Sequence, residues 1–310
     1  MQFLNFKEGQ FINFLAYRRI ATIISAILLL AGIGSVTVQK GLKYGIDFRG
    51  GTNVQIKFES QPNLDQLRNL FAERGMQNVV LQTFGDIIDM EILLGLPIDS
   101  PLGTGENLTR ELGNILLNQH PKLEIRRIES IGPKVGDELK ISAVQAILIA
   151  LGLVLLYITI RFQWRQGVSA IIALVHDVLI IVGIFSILDK EFTLTVVAAL
   201  LTVVGYSLND TIVVFDRIRE NVGKYRKKSP EETINLSITE TLSRTLITSG
   251  TTLLVVLALF ILGGEIIHDF SFALLLGVLV GTYSSIYVAS PVSLFLTKLV
   301  PASGTSTAAS

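Results

Sequence analysis

The sequence contains no cysteine and only three histidines, so two common ways of building a metal site are missing. Disulfide bonds and thiolate metal sites are excluded, and a metal centre built from His120, His176 and His268 is disfavoured. We expect neither a metal nor another cofactor. The net charge is zero, so no overall field would attract nucleic acid, and none is expected as a partner.

Charged residues are also scarce, at 17% of the chain, compared with about 25% in a typical soluble protein. Half of the residues are hydrophobic, and the mean hydropathy is +0.56. These values exclude a disordered chain and an ordinary soluble enzyme as leading interpretations. The phosphate-binding pattern Gly-x4-Gly-Lys-Ser/Thr is absent from the sequence, so no nucleotide-driven engine is indicated, and we expect a protein that is not an enzyme.

The apolar residues are concentrated in six runs, each about 20 residues long, which is the length that a helix needs to cross a bilayer core. The first run is interpreted as an uncleaved anchor, because its apolar stretch exceeds the ~7–15 residues of a signal-peptide core. The runs are Ile20–Val38, Ile141–Ile160, Gly167–Leu188, Phe192–Phe215, Thr245–Leu262 and Phe270–Ser290. They predict an α-helical polytopic membrane protein with six transmembrane helices.

Lysine and arginine are distributed unevenly between the short segments on the two sides of these runs. Thirteen lie on one side and only Lys190 on the other, and the thirteen are Lys7, Arg18, Arg19, Arg161, Arg165, Arg217, Arg219, Lys224, Arg226, Lys227, Lys228, Arg244 and Lys298. Because such residues collect in cytoplasmic loops, both termini are predicted to be cytoplasmic.

The predicted organisation has four parts. Residues 1–39 form a cytoplasmic N-terminus and the first span, and residues 40–140 form an external domain. Residues 141–300 contain spans two to six, with a basic cytoplasmic loop at 217–244. Residues 301–310 are small and polar, and they are predicted to be a disordered tail.

The external domain alternates between strand and helix patterns in the order β-α-β-β-α-β. The segments are Asn53–Phe58, Asn63–Arg74, Asn78–Phe84, Ile88–Leu94, Glu106–Asn118 and Leu123–Ile128. This order predicts an α+β ferredoxin-like domain. The fold hosts many functions, so it does not indicate what the domain does.

Asp210 lies inside the fourth run, about 9 Å from the predicted cytoplasmic edge marked by Asp216 and Arg217. A charged residue within a span is unfavourable by at least ~2.5–3.5 kcal/mol, which favours a position lined by protein or water. We interpret Asp210 as functional. The alternative is a hydrated interfacial acid without a role.

Asp177 lies near the middle of the third run. A functional acid and a buried acid that is bonded to a neighbouring helix are equally compatible with this position. His176 is expected to point away from Asp177, since adjacent residues do not share a helix face, and to pack or hydrogen-bond within the bundle.

The start of the fifth run carries a helical stripe of hydroxyls, and Thr241, Thr245 and Thr248 belong to it. Such a stripe can carry ordered water or join helices, although serine and threonine are common at helix contacts. Arg244 either reaches toward Asp210 or extends to the lipid headgroups. A desolvated carboxyl can exchange protons near neutral pH. We therefore predict a proton pathway that contains Asp210, Arg244, Asp177, Asn209, Thr245 and Thr248.

Four segments, in this order along the chain, resemble the SecF family of bacterial Sec translocase subunits. They are Gly45–Thr52 (GIDFRGGT), His176–Asp177, Gly205–Asn221 (GYSLNDTIVVFDRIREN) and Ser243–Thr245. The resemblance covers nearly the whole chain, including the external domain after the first span.

Gly277 and Gly281 in the last span are interpreted as structural, because they permit close helix packing.

The resemblance implies a partner and an activity. SecF-like proteins pair with SecD to form a unit like those of the RND superfamily, which associates with the SecYEG channel in the bacterial inner (cytoplasmic) membrane. The unit uses proton flow to pull or release preproteins on the outer side. Asp210 and Arg244 match the positions implicated in proton transport. The translocating preprotein and membrane lipid are the other expected contacts.

The external motif comprises Gly45, Asp47, Phe48, Arg49, Gly50 and Gly51. Gly50 and Gly51 permit backbone conformations that other residues resist, and Asp47 and Arg49 could form a fixed polar contact at the base of the domain. A structural turn that joins the first span to the domain is favoured over a preprotein contact, although the two are compatible.

Three other classes remain as alternatives. A stand-alone proton-coupled small-solute transporter of the RND type would need a midplane pocket, but paired glycine-rich helix breaks are not evident. A structural assembly subunit would conduct no protons. An intramembrane aspartyl protease also needs two acids, but the acids here lie in His-Asp and Asn-Asp pairs rather than in that family's motifs.

Overall fold

Within the part of the chain that the structure describes, six helices are long and apolar enough to cross a membrane, as the six runs predict. The computed structural model describes residues 11–39, 41–59, 63–74, 76, 79–84, 91–97, 106–117 and 123–299. In chain order its elements are α1 (Arg18–Val38), α2 (Ile46–Arg49), β1 (Gly51–Lys57), α3 (Leu64–Ala72), β2 (Val80–Phe84), β3 (Glu91–Pro97), α4 (Glu106–Leu117), β4 (Glu124–Ile131), α5 (Pro133–Arg161), α6 (Trp164–Ile187), α7 (Leu194–Lys224), α8 (Pro230–Leu262), α9 (Gly264–Ser284) and α10 (Ser290–Leu299).

Two short turns complete the helical part. A 3₁₀ turn, Phe14–Tyr17, leads into α1, and a π-helical turn, Ser285–Ala289, joins α9 to α10 so that the last span is continuous. The predicted tail, 301–310, lies outside the described residues.

The basic segment 217–244 is not a loop, and this part of the prediction is wrong. Helix α7 continues to Lys224 and α8 begins at Pro230, so only residues 225–229 form a turn. The start of α8 is fixed by a capping box, in which Ser229 N donates to Glu232 Oε2 at 2.8 Å and Glu232 N donates to Ser229 Oγ at 3.3 Å. Because Pro230 also suits the first helical position, the helix starts well before its apolar part.

Helix α5 likewise starts before its apolar part, at Pro133. Only Gly132 separates it from β4, so the predicted boundary at residue 140 falls inside a continuous helix. We use the name insert for residues 51–131.

The insert contains a four-stranded antiparallel sheet in the order β2-β3-β1-β4, with α3 and α4 packed against it. Its elements follow one another as β-α-β-β-α-β, with bounds close to the predicted segments. Asn78, residues 88–90 and Asn118 lie outside the described residues. The core is apolar, and its most buried members are Val54, Ile56, Phe71, Leu94, Leu96, Leu112 and Leu116.

In the helical bundle, α6 and α7 are the most buried spans, whereas α1, α5 and α8 expose rows of leucine and isoleucine. Close packing in the centre depends on glycine. A Cβ on Gly281 of α9 would lie 2.9 Å from Ser207 Cβ of α7, and one on Gly277 would collide with Val203. The structural interpretation of these two glycines is therefore supported by their contacts.

Candidate functional site

Asp177 lies at the point where α6, α7 and α9 meet, and its side chain is fully buried. Its Oδ2 accepts hydrogen bonds from Ser207 Oγ of α7 at 2.6 Å and from Ser284 Oγ of α9 at 2.7 Å. Its Oδ1 lies 2.9 Å from His176 Nδ1. Both carboxylate oxygens therefore have partners, as a buried polar group requires.

The contact between His176 and Asp177 corrects the expectation that the imidazole points away. The rule that neighbours face apart holds for side chains that project outward, but these two short side chains are buried together and satisfy each other. The other ring nitrogen, Nε2, lies 3.0 Å from Ser25 Oγ of α1. The expectation that His176 hydrogen-bonds within the bundle is confirmed by this contact.

The row of polar groups continues beyond His176. Ser25 Oγ is 3.0 Å from the hydroxyl of Tyr283, which in turn donates to the Ala21 carbonyl at 2.7 Å. The Tyr283 ring also stacks on the imidazole at a centroid distance of 6.2 Å. Hydroxyl and imidazole groups can both donate and accept. A hydrogen-bonded row of such groups thus connects α1 to the buried carboxylate of Asp177.

Asp210 is the second buried acid, with 2% of its surface exposed. Its Oδ2 accepts a hydrogen bond from Ser249 Oγ of α8 at 3.2 Å. Ser249 Oγ lies 2.8 Å from Thr282 Oγ1 of α9, which donates to the Val278 carbonyl at 2.8 Å. Helices α7, α8 and α9 therefore converge on this carboxylate.

The groups around the two acids lie on neighbouring turns of α7 and α9. Ser207 and Asp210 are three residues apart on α7, which corresponds to a rise of about 4.5 Å along the helix axis. On α9, Thr282 and Ser284 are two residues apart, or about 3 Å. The hydrogen-bond partners of Asp177 and of Asp210 thus lie at nearly the same depth in the bundle.

Arg244 does not touch Asp210, although the prediction pairs the two residues. Its side chain is exposed, and no hydrogen bond joins it to Asp210 among the described residues. Arg244 instead lines a pocket of about 460 Å³ together with Asn209, the neighbour of Asp210. The structure therefore places Arg244 in a pocket next to Asn209, and Asp210 itself is buried and does not line that pocket.

This pocket, which we call the balanced pocket, has three arginines and three acids in its lining, and they are Arg161, Arg217, Arg244, Asp216, Glu220 and Glu240. Arg217 pairs with Glu220 at 2.7 Å and with Glu240 at 3.3 Å. Arg161 lies 3.4 Å from Asp216. Of the three arginines, Arg244 alone has no ion-pair partner among the described residues.

The predicted threonine stripe is directed largely back to its own helix. Thr248 Oγ1 lies within 3.0 Å of the Arg244 and Thr245 carbonyls, and Thr241 Oγ1 lies 2.9 Å from the Ser237 carbonyl. In apolar surroundings such back-bonding uses the hydroxyl proton within the helix. Thr245 is buried and Thr248 is half-buried. The hydroxyl of α8 that reaches the acid belongs to Ser249.

The segment around Gly50 and Gly51 fastens the insert to the bundle. Asp47 Oδ2 accepts a hydrogen bond from the Leu194 N–H at 2.9 Å, so it caps the first turn of α7 rather than pairing with Arg49. Burial raises the pKa of the Glu191 carboxyl nearby, and the positive charges of Lys43 and Arg49 oppose that rise.

Phe48 is the buried anchor of the same segment, with its ring stacked on Phe192 at a centroid distance of 6.1 Å. Gly45 N donates to the Phe192 carbonyl at 2.9 Å. At Gly51 the φ angle is +145°, and a Cβ there would collide with the Leu96 carbonyl. These contacts favour the structural interpretation of the motif.

Sequence reasoning missed the hydroxyl groups that contact the acids. They are Ser25, Ser207, Ser249, Thr282, Tyr283 and Ser284. Only Ser207 carried a usable signal, because it precedes Asp210 by one helical turn. The others are hard to select in advance, since serine and threonine occur at many helix contacts.

Two family models match the chain. One, described as protein export membrane protein SecD/SecF, C-terminal, matches residues 111–299. The other, described as the SecD/SecF GG motif, matches residues 36–62 and so includes the segment around Gly50 and Gly51.

Similar proteins cover most of the chain. The protein translocase subunit SecF of Vibrio alginolyticus is 48% identical over 291 residues, which cover 94% of this chain and 91% of that protein. The protein translocase subunit SecF of Haemophilus influenzae is 45% identical over 278 residues, which cover 89% of this chain and 83% of that protein.

A solved structure is similar as well. The crystal structure of SecDF from Thermus thermophilus, described as a translocon-associated membrane protein, aligns with a TM-score of 0.80 and 39% identity. The alignment covers 95% of this chain but only 40% of the SecDF chain, so this chain corresponds to less than half of that protein.

Proposed function

The chain belongs to the SecF family of protein translocase subunits, and on that premise we propose that it couples proton flow to protein translocation. In this proposal it works with a SecD-like partner, uses the proton motive force, and promotes both the movement of a preprotein and its release on the outer side of the membrane. The observation that carries the proposal is a pair of buried carboxylates, Asp177 and Asp210, within one apolar bundle.

In the proposed cycle Asp210 alternates between a protonated and an ionised state. The balanced pocket supplies water and the mobile charge of Arg244, while Ser249 donates a hydrogen bond to the ionised carboxylate. Ser207, one turn before Asp210 on α7, donates to Asp177, and the row from Asp177 through His176 to Tyr283 provides groups that can relay a proton. Moving one charge through 100 mV supplies about 2.3 kcal/mol.

The proposal assigns the chain to the bacterial inner membrane with both termini in the cytoplasm. It is supported by the ion pairs of Glu231, which contacts Arg18 at 2.6 Å and Lys298 at 3.4 Å. These contacts bring the start of α1, the start of α8 and the end of α10 to one end of the bundle. Residues 40–140 are then external, and the element order of the insert favours a ferredoxin-like fold for them.

The proposed partners follow from the family and from the shared length. SecDF is a longer chain, and we propose that a separate SecD-like protein supplies the part that this chain lacks. The SecYEG channel, the translocating preprotein and the surrounding lipid complete the proposed assembly. We assign the chain no covalent chemistry and therefore no enzymatic activity.

The test is preprotein export into inverted membrane vesicles with and without a proton gradient. D210N keeps the size of the side chain but cannot ionise, so it should abolish gradient-stimulated export while the protein reaches the abundance of the parent. T202A provides a control on the same helix, because Thr202 is exposed and donates to the Ala198 carbonyl of its own helix, so its replacement leaves Asp210 and the balanced pocket in place. Equal stimulation of D210N and the parent would contradict the proton-coupled function and favour a structural assembly subunit.

A further inference from the structure

A second pocket, of about 490 Å³, lies beside the α5–α6 turn and differs in charge from the balanced pocket. It is lined by the end of α5, the start of α6, the end of α7, the start of α8 and α10. Its lining includes three arginines, Arg161, Arg165 and Arg219, and none of the described lining residues is an acid. We call it the arginine pocket.

Arg165 is the buried member of this set, with 8% of its surface exposed. Its Nε has no hydrogen-bond partner among the described residues, and its guanidinium joins no ion pair with them. The indole of Trp164, 6.0 Å away, is its aromatic neighbour. A buried charge without a counter-charge is strongly unfavourable. Among the described residues nothing neutralises this charge, so the arginine pocket suits an added anion.

The other two arginines are more exposed and already make contacts. Arg161 lies 3.4 Å from Asp216, outside the arginine pocket, and Arg219 Nη1 lies 3.5 Å from the Arg161 carbonyl. These contacts are long, and they hold the two side chains at the rim while part of their hydrogen-bonding capacity stays free. The buried Arg165 and the rim together form a site with an excess of positive charge.

The shape and the position of the arginine pocket indicate a phosphate group attached to a lipid. The planar guanidinium matches the oxygens of phosphate in a two-point contact. Phe162, Ile218 and Ile234 provide an apolar wall next to the arginines. The exposed rings of Trp164 and Tyr157 flank the same end of α5 and α6, as aromatic residues do at a membrane interface.

We propose that the arginine pocket binds the phosphate of an anionic membrane phospholipid, with Arg165 as the buried anchor and Arg161 and Arg219 as rim contacts. Basic pockets between membrane helices on the cytoplasmic side are known to suit such headgroups. The lipid would tie α5 and α6 to α7, α8 and α10, and so it would stabilise the end of the bundle that contains the balanced pocket.

The test measures lipid binding to the purified full chain by native mass spectrometry, with phosphatidylglycerol as the probe and phosphatidylcholine as the comparison. We expect R165Q to lower phosphatidylglycerol binding about tenfold or more, as expected for the loss of a charge-assisted hydrogen bond. R226Q is the matched control, because Arg226 is exposed in the α7–α8 turn and lines neither pocket. Equal losses in R165Q and R226Q, or no loss in R165Q, would overturn the proposal.

Further measurements distinguish a lipid phosphate from other sources of the anion. Preference for phosphatidylglycerol over phosphatidylcholine supports the site, whereas equal binding of the two lipids indicates unspecific contact and overturns it. Inorganic phosphate that displaces the lipid at equal concentration would identify a soluble anion as the ligand and overturn the lipid assignment.

If R165Q fails to fold, R219Q keeps the test open, because Arg219 is exposed and its replacement leaves the bundle core intact. We expect R219Q to weaken phosphatidylglycerol binding about threefold or more relative to R226Q, as for a partly solvated contact to phosphate. Binding equal to that of R226Q would count against the arginine pocket.

Discussion

Asp177 and Asp210 are both buried acids in the same bundle, but their surroundings differ in kind. Asp177 has three side-chain partners, one imidazole and two hydroxyls, and each of its oxygens is satisfied. Asp210 has two hydroxyl partners, Ser249 at 3.2 Å and the more weakly placed Thr282, and its neighbour Asn209 lines the balanced pocket. A carboxylate whose oxygens are both satisfied holds helices together, whereas the proposed function requires one with fewer partners, such as Asp210, to change its charge.

This difference predicts that Asp177 matters most for stability. D177N replaces an acceptor oxygen by an amide donor, so either the Ser207 and Ser284 hydroxyls lose their acceptor or the His176 imidazole must change from donor to acceptor. We expect the free energy of unfolding to fall by about 1–3 kcal/mol for each buried group left unsatisfied. The measurement is unfolding of the purified protein in mixed detergent micelles.

D210N is the control for that experiment, because it removes the charge of an acid with fewer partners. Its stability should stay close to that of the parent or rise, since an uncharged amide is easier to bury. A larger loss of stability in D210N than in D177N would invert the comparison between the two acids.

Ser249 is the residue that sharpens the comparison on the Asp210 side. S249A removes the hydroxyl donor to Asp210, and a hydrogen bond to a charged group contributes about 1.5–3 kcal/mol. We expect gradient-stimulated export to fall about tenfold while export without a gradient stays unchanged. T248A is the matched control, because Thr248 bonds to its own helix. Similar losses in both variants would indicate damage to α8 rather than to the acid.

Arg244 tests whether the balanced pocket beside Asp210 needs a particular cation. R244K keeps the charge but loses the planar fork, so we expect a partial loss of gradient-stimulated export, about twofold to tenfold. R226K at the exposed α7–α8 turn should have no effect. Wild-type activity in R244K would mean that charge alone is sufficient, and complete loss would point to an arginine-specific contact.

Tyr283 gives the smallest expected effect, on the Asp177 side. Y283F removes a hydroxyl that is 3.0 Å from Ser25 and leaves the ring stacked on His176. Since a neutral hydrogen bond contributes about 0.5–1.5 kcal/mol, unfolding should become easier by that amount, with export little changed. A collapse of gradient-stimulated export in Y283F would show that the Tyr283 hydroxyl is itself needed for the proposed proton transfer.

Much of the architecture could be predicted, because it depends on long patterns. The six apolar runs and the strand-helix alternation extend over many residues, so local exceptions do not hide them. The end of α7 and the start of α8 are not predicted, because their polar sequence resembles a loop. Ser229, Pro230 and Glu232 nevertheless carry a helix-start signal. That signal is local and was available from the sequence.

The candidate site could be predicted only in part. Asp177 and Asp210 stand out because acids are unfavourable within a membrane span. Their partners depend on how α7, α8 and α9 pack, and no spacing along one helix encodes a contact with another. The predicted orientation of His176 is wrong for the same reason. Helical geometry fixes the direction of Cβ, but it does not fix which partner the imidazole contacts.

Helix α5 has a mechanical consequence for the insert. It has 29 residues, so it is about 43 Å long. A Cβ on Gly136, near the start of the helix, would lie 2.7 Å from the Phe48 carbonyl oxygen, so the helix packs tightly against the segment before the insert. Because only Gly132 separates β4 from α5, no flexible linker joins the insert to this helix. A swing of the insert must carry α5 with it as a stiff lever, and a tilt of 10° about its first turn would displace Arg161, at the wall of both pockets, by roughly 7 Å.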